Sequence, residues 1–146
     1  MTAHQTYTRP ERYETVSRTE RRQSLGRKLV GGFYLTMAGV HLGVVAADPQ
    51  FYSTFADEAL VPALETAWDE IFMANPVLWG TALCLAEVAI GTMLLVGGRW
   101  TMPGWFLVVG FHLMLVLIVG PWILWWVVPA LAVVVPLAVA DWLRTH

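Results

Sequence analysis

The sequence predicts an all-α, polytopic membrane fold: a four-helix bundle with an amphipathic outer-face helix between its first and second spans. Three observations carry that expectation. Apolar residues gather in four runs of about 18–20 residues, the length a helix needs to cross a bilayer core. Of the 146 residues, 57% are hydrophobic and 14% charged, whereas a soluble domain carries roughly 25% charge. Finally, the tryptophans cluster near the ends of the apolar runs, where an aromatic interface belt belongs.

The first 28 residues are polar, rich in Thr, Arg and Glu, and show no apolar periodicity. They read as a mobile basic cytoplasmic tail, separate from a transmembrane domain over 29–146. Glu20-Arg21-Arg22-Gln23-Ser24-Leu25 reads as the positive flank of a signal anchor rather than a cleaved leader, because three further apolar runs follow. The four spans are Leu29–Ala46, Val77–Val96, Met102–Val119 and Ile123–Ala140. Trp79, Trp100, Trp105, Trp122, Trp125, Trp126 and Trp142 lie near their ends. The joint between the third span and the fourth, at Gly120-Pro121, is very short, which demands a tight antiparallel hairpin.

Between the first two spans, Leu60, Val61, Leu64, Trp68, Ile71 and Phe72 recur at three- and four-residue intervals, and acidic residues fill positions between them. That is the pattern of one amphipathic helix, and Pro62 suits its first turn. It is expected to lie across the outer mouth of the bundle or in the headgroup layer. Basic residues set the orientation. Arg9, Arg12, Arg18, Arg21, Arg22, Arg27 and Lys28 precede the first span, whereas Asp48, Asp57, Glu58, Glu65, Asp69 and Glu70 fill the first loop without any Lys or Arg. The positive-inside rule then predicts a multi-pass protein of the cell membrane with both termini and the Arg99 turn in the cytoplasm.

Inside the spans the strongly polar residues are His41, Glu87 and His112. At about 1.5 Å rise per residue they stand about 18, 13 and 15 Å above the cytoplasmic interface. An ionisable group at such depth costs roughly 2.5–3.5 kcal/mol on insertion scales, so the three are expected to meet. Two readings stay open. One is a ligand site for a quinone headgroup or for proton handling, since a quinone carbonyl needs a hydrogen-bond donor and a group that exchanges its proton. The other is a polar clasp between helices, about 0.6 kcal/mol per bond. A b-type haem held by His41 and His112 is the less expected occupant, because only one such pair exists. No metal is expected, because no span carries two ligands three or four residues apart.

Other chemistry is excluded more simply. Cys84 is the single cysteine, so thiol-disulfide exchange within the chain lacks its second thiol, and Cys84 reads as packing. No phosphate-binding Gly-rich loop, Ser-His-Asp order or nucleic-acid patch is present, so no nucleic-acid partner is expected. Gly39-x-x-x-Gly43 and Ala82-x-x-x-Ala86 read as close-approach surfaces between helices. Pro129 and Pro136 should bend the last span.

The stretch Ala86-Glu87-Val88-Ala89-Ile90-Gly91-Thr92-Met93-Leu94-Leu95-Val96-Gly97-Gly98-Arg99, with Met37-Ala38-Gly39-Val40-His41-Leu42 at the end of the first span, resembles the DoxX-like family of small four-helix membrane proteins. The likeness covers about residues 29–140 in helix number and order. His41 departs from it, because a Lys is common near that place in the family. The resemblance implies a four-helix bundle that partners redox systems, thiosulfate:quinone oxidoreductase among them, and makes Glu87 the family's acidic position. The expected function is therefore an accessory subunit of a quinone-linked membrane redox system, with a membrane or peripheral protein partner besides the lipid bilayer. A non-catalytic membrane anchor or assembly protein is the alternative. Whether the chain is an enzyme, and whether it forms a homo-oligomer, the sequence leaves open.

Overall fold

The computed structural model describes the backbone of residues 11–145 and the side chains of residues 24–144. Among them there is no strand, and four helices are long and apolar enough to cross a membrane: Ser24–Ala47, Pro76–Val96, Gly98–Val119 and Pro121–Arg144. Each contains one of the four expected spans.

The first span belongs to α1, Glu11–Ala47. Residues 1–10 of the expected tail lie outside the described residues, but from Glu11 the backbone is already helical. Residues 11–25 contain neither Pro nor Gly and are rich in Arg and Glu, which are good helix formers, so no break in the backbone marks position 28. A short 3₁₀ turn, Pro49–Tyr52, follows, started by the Asp48 side chain accepting from the Gln50 amide.

The outer segment differs from the single amphipathic helix expected. α2 covers only Pro62–Ala67, with Pro62 in its first turn as expected, and a π-helical turn takes over at Trp68–Phe72. The Met73 amide reaches back five residues to the Trp68 carbonyl. This wider turn stacks Trp68 on Phe72 with ring centroids 3.9 Å apart, while Leu60, Val61 and Ile71 remain exposed.

α3 is Pro76–Val96, opened by the Asn75 side chain accepting from the Leu78 amide, a cap worth about 1 kcal/mol. α4 is Thr101–Val119 and α5 is Leu124–Thr145, which stays one helix through Pro129 and Pro136. The long helices touch in the order α1, α3, α4, α5 and back to α1; the α1–α3 contact is the most extensive and α1–α5 the least. Tyr34, Ile90, Leu94, Trp105, Val108 and Val134 form the buried centre. Large apolar side chains such as Leu29, Leu85, Phe106, Trp125 and Leu143 face outward, while Glu87, Thr101, His112 and Asp141 are buried. That inversion suits a lipid surround.

Two expectations about packing are corrected. Trp105 is not a belt residue: it is 2% exposed, and its Nε1 donates to Asp141 at 2.9 Å. Nor do Gly39 and Gly43 mark a helix crossing, since a Cβ on either would meet nothing within 4 Å, and Ala82 and Ala86 are exposed. The α1–α3 crossing lies at Gly31 and Gly91 instead, where a Cβ on Gly91 would stand 2.7 Å from the Gly31 carbonyl oxygen. Sequence spacing identifies small residues but not which face of the helix is turned inward. Gly91→Ala should therefore cost about 1–3 kcal/mol through overpacking, whereas Gly39→Ala should be neutral or stabilising by up to about 1 kcal/mol. Thermal unfolding of both variants in detergent checks this, and equal melting temperatures would contradict the crossing.

Candidate functional site

A cavity of about 440 Å³ opens between the helices and under the outer segment. α1 contributes Tyr34, Met37 and His41, spaced three and four residues apart along one face; α3 contributes Leu83 and Glu87, and α4 contributes Phe111, His112 and Leu115. Phe55, Trp68 and Phe72 close the loop side, together with Tyr52. Edge-on ring contacts of 5.4 Å join Tyr52 to Phe55 and to Phe72. Trp68 Nε1 also donates to the Tyr52 carbonyl at 2.9 Å, which ties the π-turn to the 3₁₀ turn.

Of the three polar residues expected to converge, two come within ion-pair distance of each other. His41 Nε2 lies 3.9 Å from Glu87 Oε1. Glu87 is only 1% exposed, and its second oxygen, Oε2, has no hydrogen-bond partner among the described residues. His112 lines the same cavity but bonds elsewhere. Its Nδ1 donates to the Val108 carbonyl at 2.8 Å and lies 3.5 Å from the Tyr34 hydroxyl.

These partners constrain the ring protons. With Nδ1–H committed to a carbonyl, neutral His112 keeps its lone pair on Nε2. The Tyr34 hydroxyl then keeps its own hydrogen for another acceptor. On the other side, the Tyr52 hydroxyl lies 3.2 Å from His41 Nδ1. Burial, then the neighbouring Cys84 and Glu87, push the Tyr52 phenol up to about 12, so it stays protonated and either donates to Nδ1 or accepts from it. When it donates, a neutral His41 carries its proton on Nε2, the nitrogen facing Glu87. The titratable side chains lining the cavity are thus Tyr34, His41, Tyr52, Glu87 and His112.

Tyr34 and Tyr52 were not singled out by the sequence reasoning. Tyr34 had a signal, since it stands two helical turns before His41 and so shares its face. Tyr52 had none, because only the fold of the outer segment brings it to His41.

A second polar cluster, also missed, sits at the opposite end of the helices. Asp141 accepts from Trp105 and pairs with Arg144, and Arg27 Nη1 lies 3.9 Å from it. Asp141 falls one residue past the expected end of the last span, which is why a search confined to the spans passed over it. Among the described residues no group of three or more His, Cys, Asp or Glu side chains could hold a metal ion. No known family, curated protein or solved structure matches the chain.

Proposed function

We propose that this chain is a four-helix membrane bundle that binds a quinone headgroup and serves as an accessory subunit of a membrane redox system. One observation carries the reading: a carboxyl with one oxygen that lacks a hydrogen-bond partner among the described residues, buried at the wall of a cavity whose remaining lining is largely apolar. Ligand sites take this form, an apolar pocket with a few placed polar groups, and volumes of about 300–1,000 Å³ are usual. A quinone offers two carbonyl acceptors on a flat apolar ring. Tyr34 O–H and, in the tautomer protonated on Nε2, His41 supply donors, and Glu87 supplies a group that exchanges protons with the ring oxygens. Reduction to quinol takes two electrons and two protons. The electrons come from a partner, because this sequence carries no flavin, iron–sulfur or nucleotide motif of its own.

In this reading the outer segment is a lid on the cavity and the acidic loop faces away from the cytoplasm, with both termini inside by the positive-inside rule. The DoxX-like resemblance belongs to the same proposal, with Glu87 as the acidic position. The anchoring alternative has one observation in its favour. Asp57, Glu58, Glu65, Asp69 and Glu70 are all exposed on the outer segment and could dock a basic partner.

The test is direct. Protein purified in mild detergent should yield quinone on lipid extraction. Glu87→Gln keeps the side chain's shape and removes its proton exchange, and should weaken quinone binding at least tenfold, about 1.4 kcal/mol, without lowering the melting temperature. Absence of extracted quinone with equal affinity in the variant would refute the reading. Charge reversal at Glu65 and Asp69 that abolishes partner capture, with Glu87→Gln silent, would favour the anchor.

A further inference from the structure

A second, more apolar cavity of about 250 Å³ lies between α1 and α5. It shares Phe33, Tyr34, His112 and Trp126 with the first. From that common wall it runs along α1 to Leu29 and along α5 to Val134, away from the outer segment. The two cavities thus share a wall of four residues. Phe33 and Trp126, with ring centroids 6.0 Å apart and planes tilted by 34°, form the outer part of the partition, and both are partly exposed (41% and 42%). α1 and α5 also make the least extensive of the four helix contacts, so this is the seam where a side chain rotation opens most room. A contrasting groove of about 290 Å³, lined by Ala89, Thr92, Met93, Val96 and Trp100, shares no lining residue with the polar cavity.

We infer that the α1–α5 groove is the tail channel of the polar cavity: the ligand is a prenyl-tailed quinone that enters from lipid past Phe33 and Trp126, its ring reaching Glu87 and its tail remaining between α1 and α5. The inference rests on the quinone reading above and adds the ligand class and its route. A substituted quinone ring occupies a large part of the polar cavity, and the lid closes the loop side, so a prenyl chain needs another exit. The groove offers an apolar one that begins at His112 and Tyr34, the groups that face the ring. Aliphatic Leu29, Val30, Ala130, Val133 and Val134 suit a hydrocarbon chain, which gains from burial in proportion to its apolar area.

The experiment uses the full chain in nanodiscs with two probes: a benzoquinone bearing a short tail with a diazirine on it, and the same ring without a tail. Photolysis should label peptides containing Phe33 and Ala130. Ala130→Trp, which fills the groove, should weaken the tailed probe at least tenfold and leave the tailless ring within about twofold. Label concentrated at Ala89 or Met93, label spread evenly over lipid-facing residues, or equal weakening of both probes would overturn the channel while leaving ring binding intact. Failure of both probes to bind the unaltered chain would remove the quinone reading and the channel with it. Should Ala130→Trp not fold, the labelling map of the unaltered chain decides alone.

Discussion

Asp141→Ala should destabilise the protein by about 3 kcal/mol, the largest loss expected from any single polar substitution in the chain. Its carboxylate is buried, accepts from Trp105 Nε1 at 2.9 Å, pairs with Arg144, and lies 3.9 Å from Arg27. Removing one partner of a buried ion pair costs about 3–5 kcal/mol when the other charge stays buried. Arg27 and Arg144 are partly exposed here, which puts the pair at the lower end of that range. The orphaned Trp105 N–H contributes to the loss, because an unsatisfied buried donor costs about 1–3 kcal/mol. Asp141→Asn keeps an acceptor for Trp105 and should cost roughly half as much. Thermal unfolding of the two variants in detergent separates the contributions. If Asn and Ala lower the melting temperature equally, the bond to Trp105 adds nothing.

Gly120→Ala is the second large effect, and its loss should be concentrated at the outer segment. Gly120 has φ 84° and ψ −171°, a region essentially reserved for glycine that costs other residues about 1–3 kcal/mol. A Cβ there would stand 2.0 Å from the Glu58 carbonyl oxygen, a backbone atom with no rotamer to relieve the clash. The outer segment crosses the α4–α5 turn at this point, and the Leu60 amide donates to the Leu117 carbonyl at 3.0 Å beside it. Strain and clash together should cost about 2–4 kcal/mol, taken up by lifting residues 57–61 off the turn. Hydrogen exchange should show the Leu60 amide losing protection while α3 amides near Ile90 keep theirs. Unchanged protection at Leu60 would mean that the outer segment is held elsewhere.

Much of this molecule was legible before its structure. Each of the four apolar runs lies within one of the membrane-length helices, and Pro62 begins α2 as the turn rules require. The depth estimate that put His41 and Glu87 near one level is met by their 3.9 Å approach. Depth is readable because helical rise is constant. Rotation is not, and the errors fell there. Gly39 and Gly43 have ideal spacing for a close crossing, yet they face away from the neighbouring helices, whereas Gly31 meets Gly91. Trp105 has the composition of a belt residue and is turned inward to Asp141. The outer helix changes pitch at Trp68, where a π-turn sets Trp68 and Phe72 face to face.

Hydropathy and charge order along the chain alone determined four membrane-length helices and singled out His41, Glu87 and His112 as the strongly polar residues of the apolar runs. These follow from local length and composition, and apolar runs of this size have few other ways to satisfy their backbone in lipid. Only the tertiary structure decided that Tyr34 and Tyr52 stand beside the histidines, that one oxygen of Glu87 lacks a hydrogen-bond partner among the described residues, and that a groove between α1 and α5 shares four lining residues with the cavity. Those facts depend on the rotation of each helix and on contacts between residues as far apart as Tyr34 and His112, which no periodicity encodes.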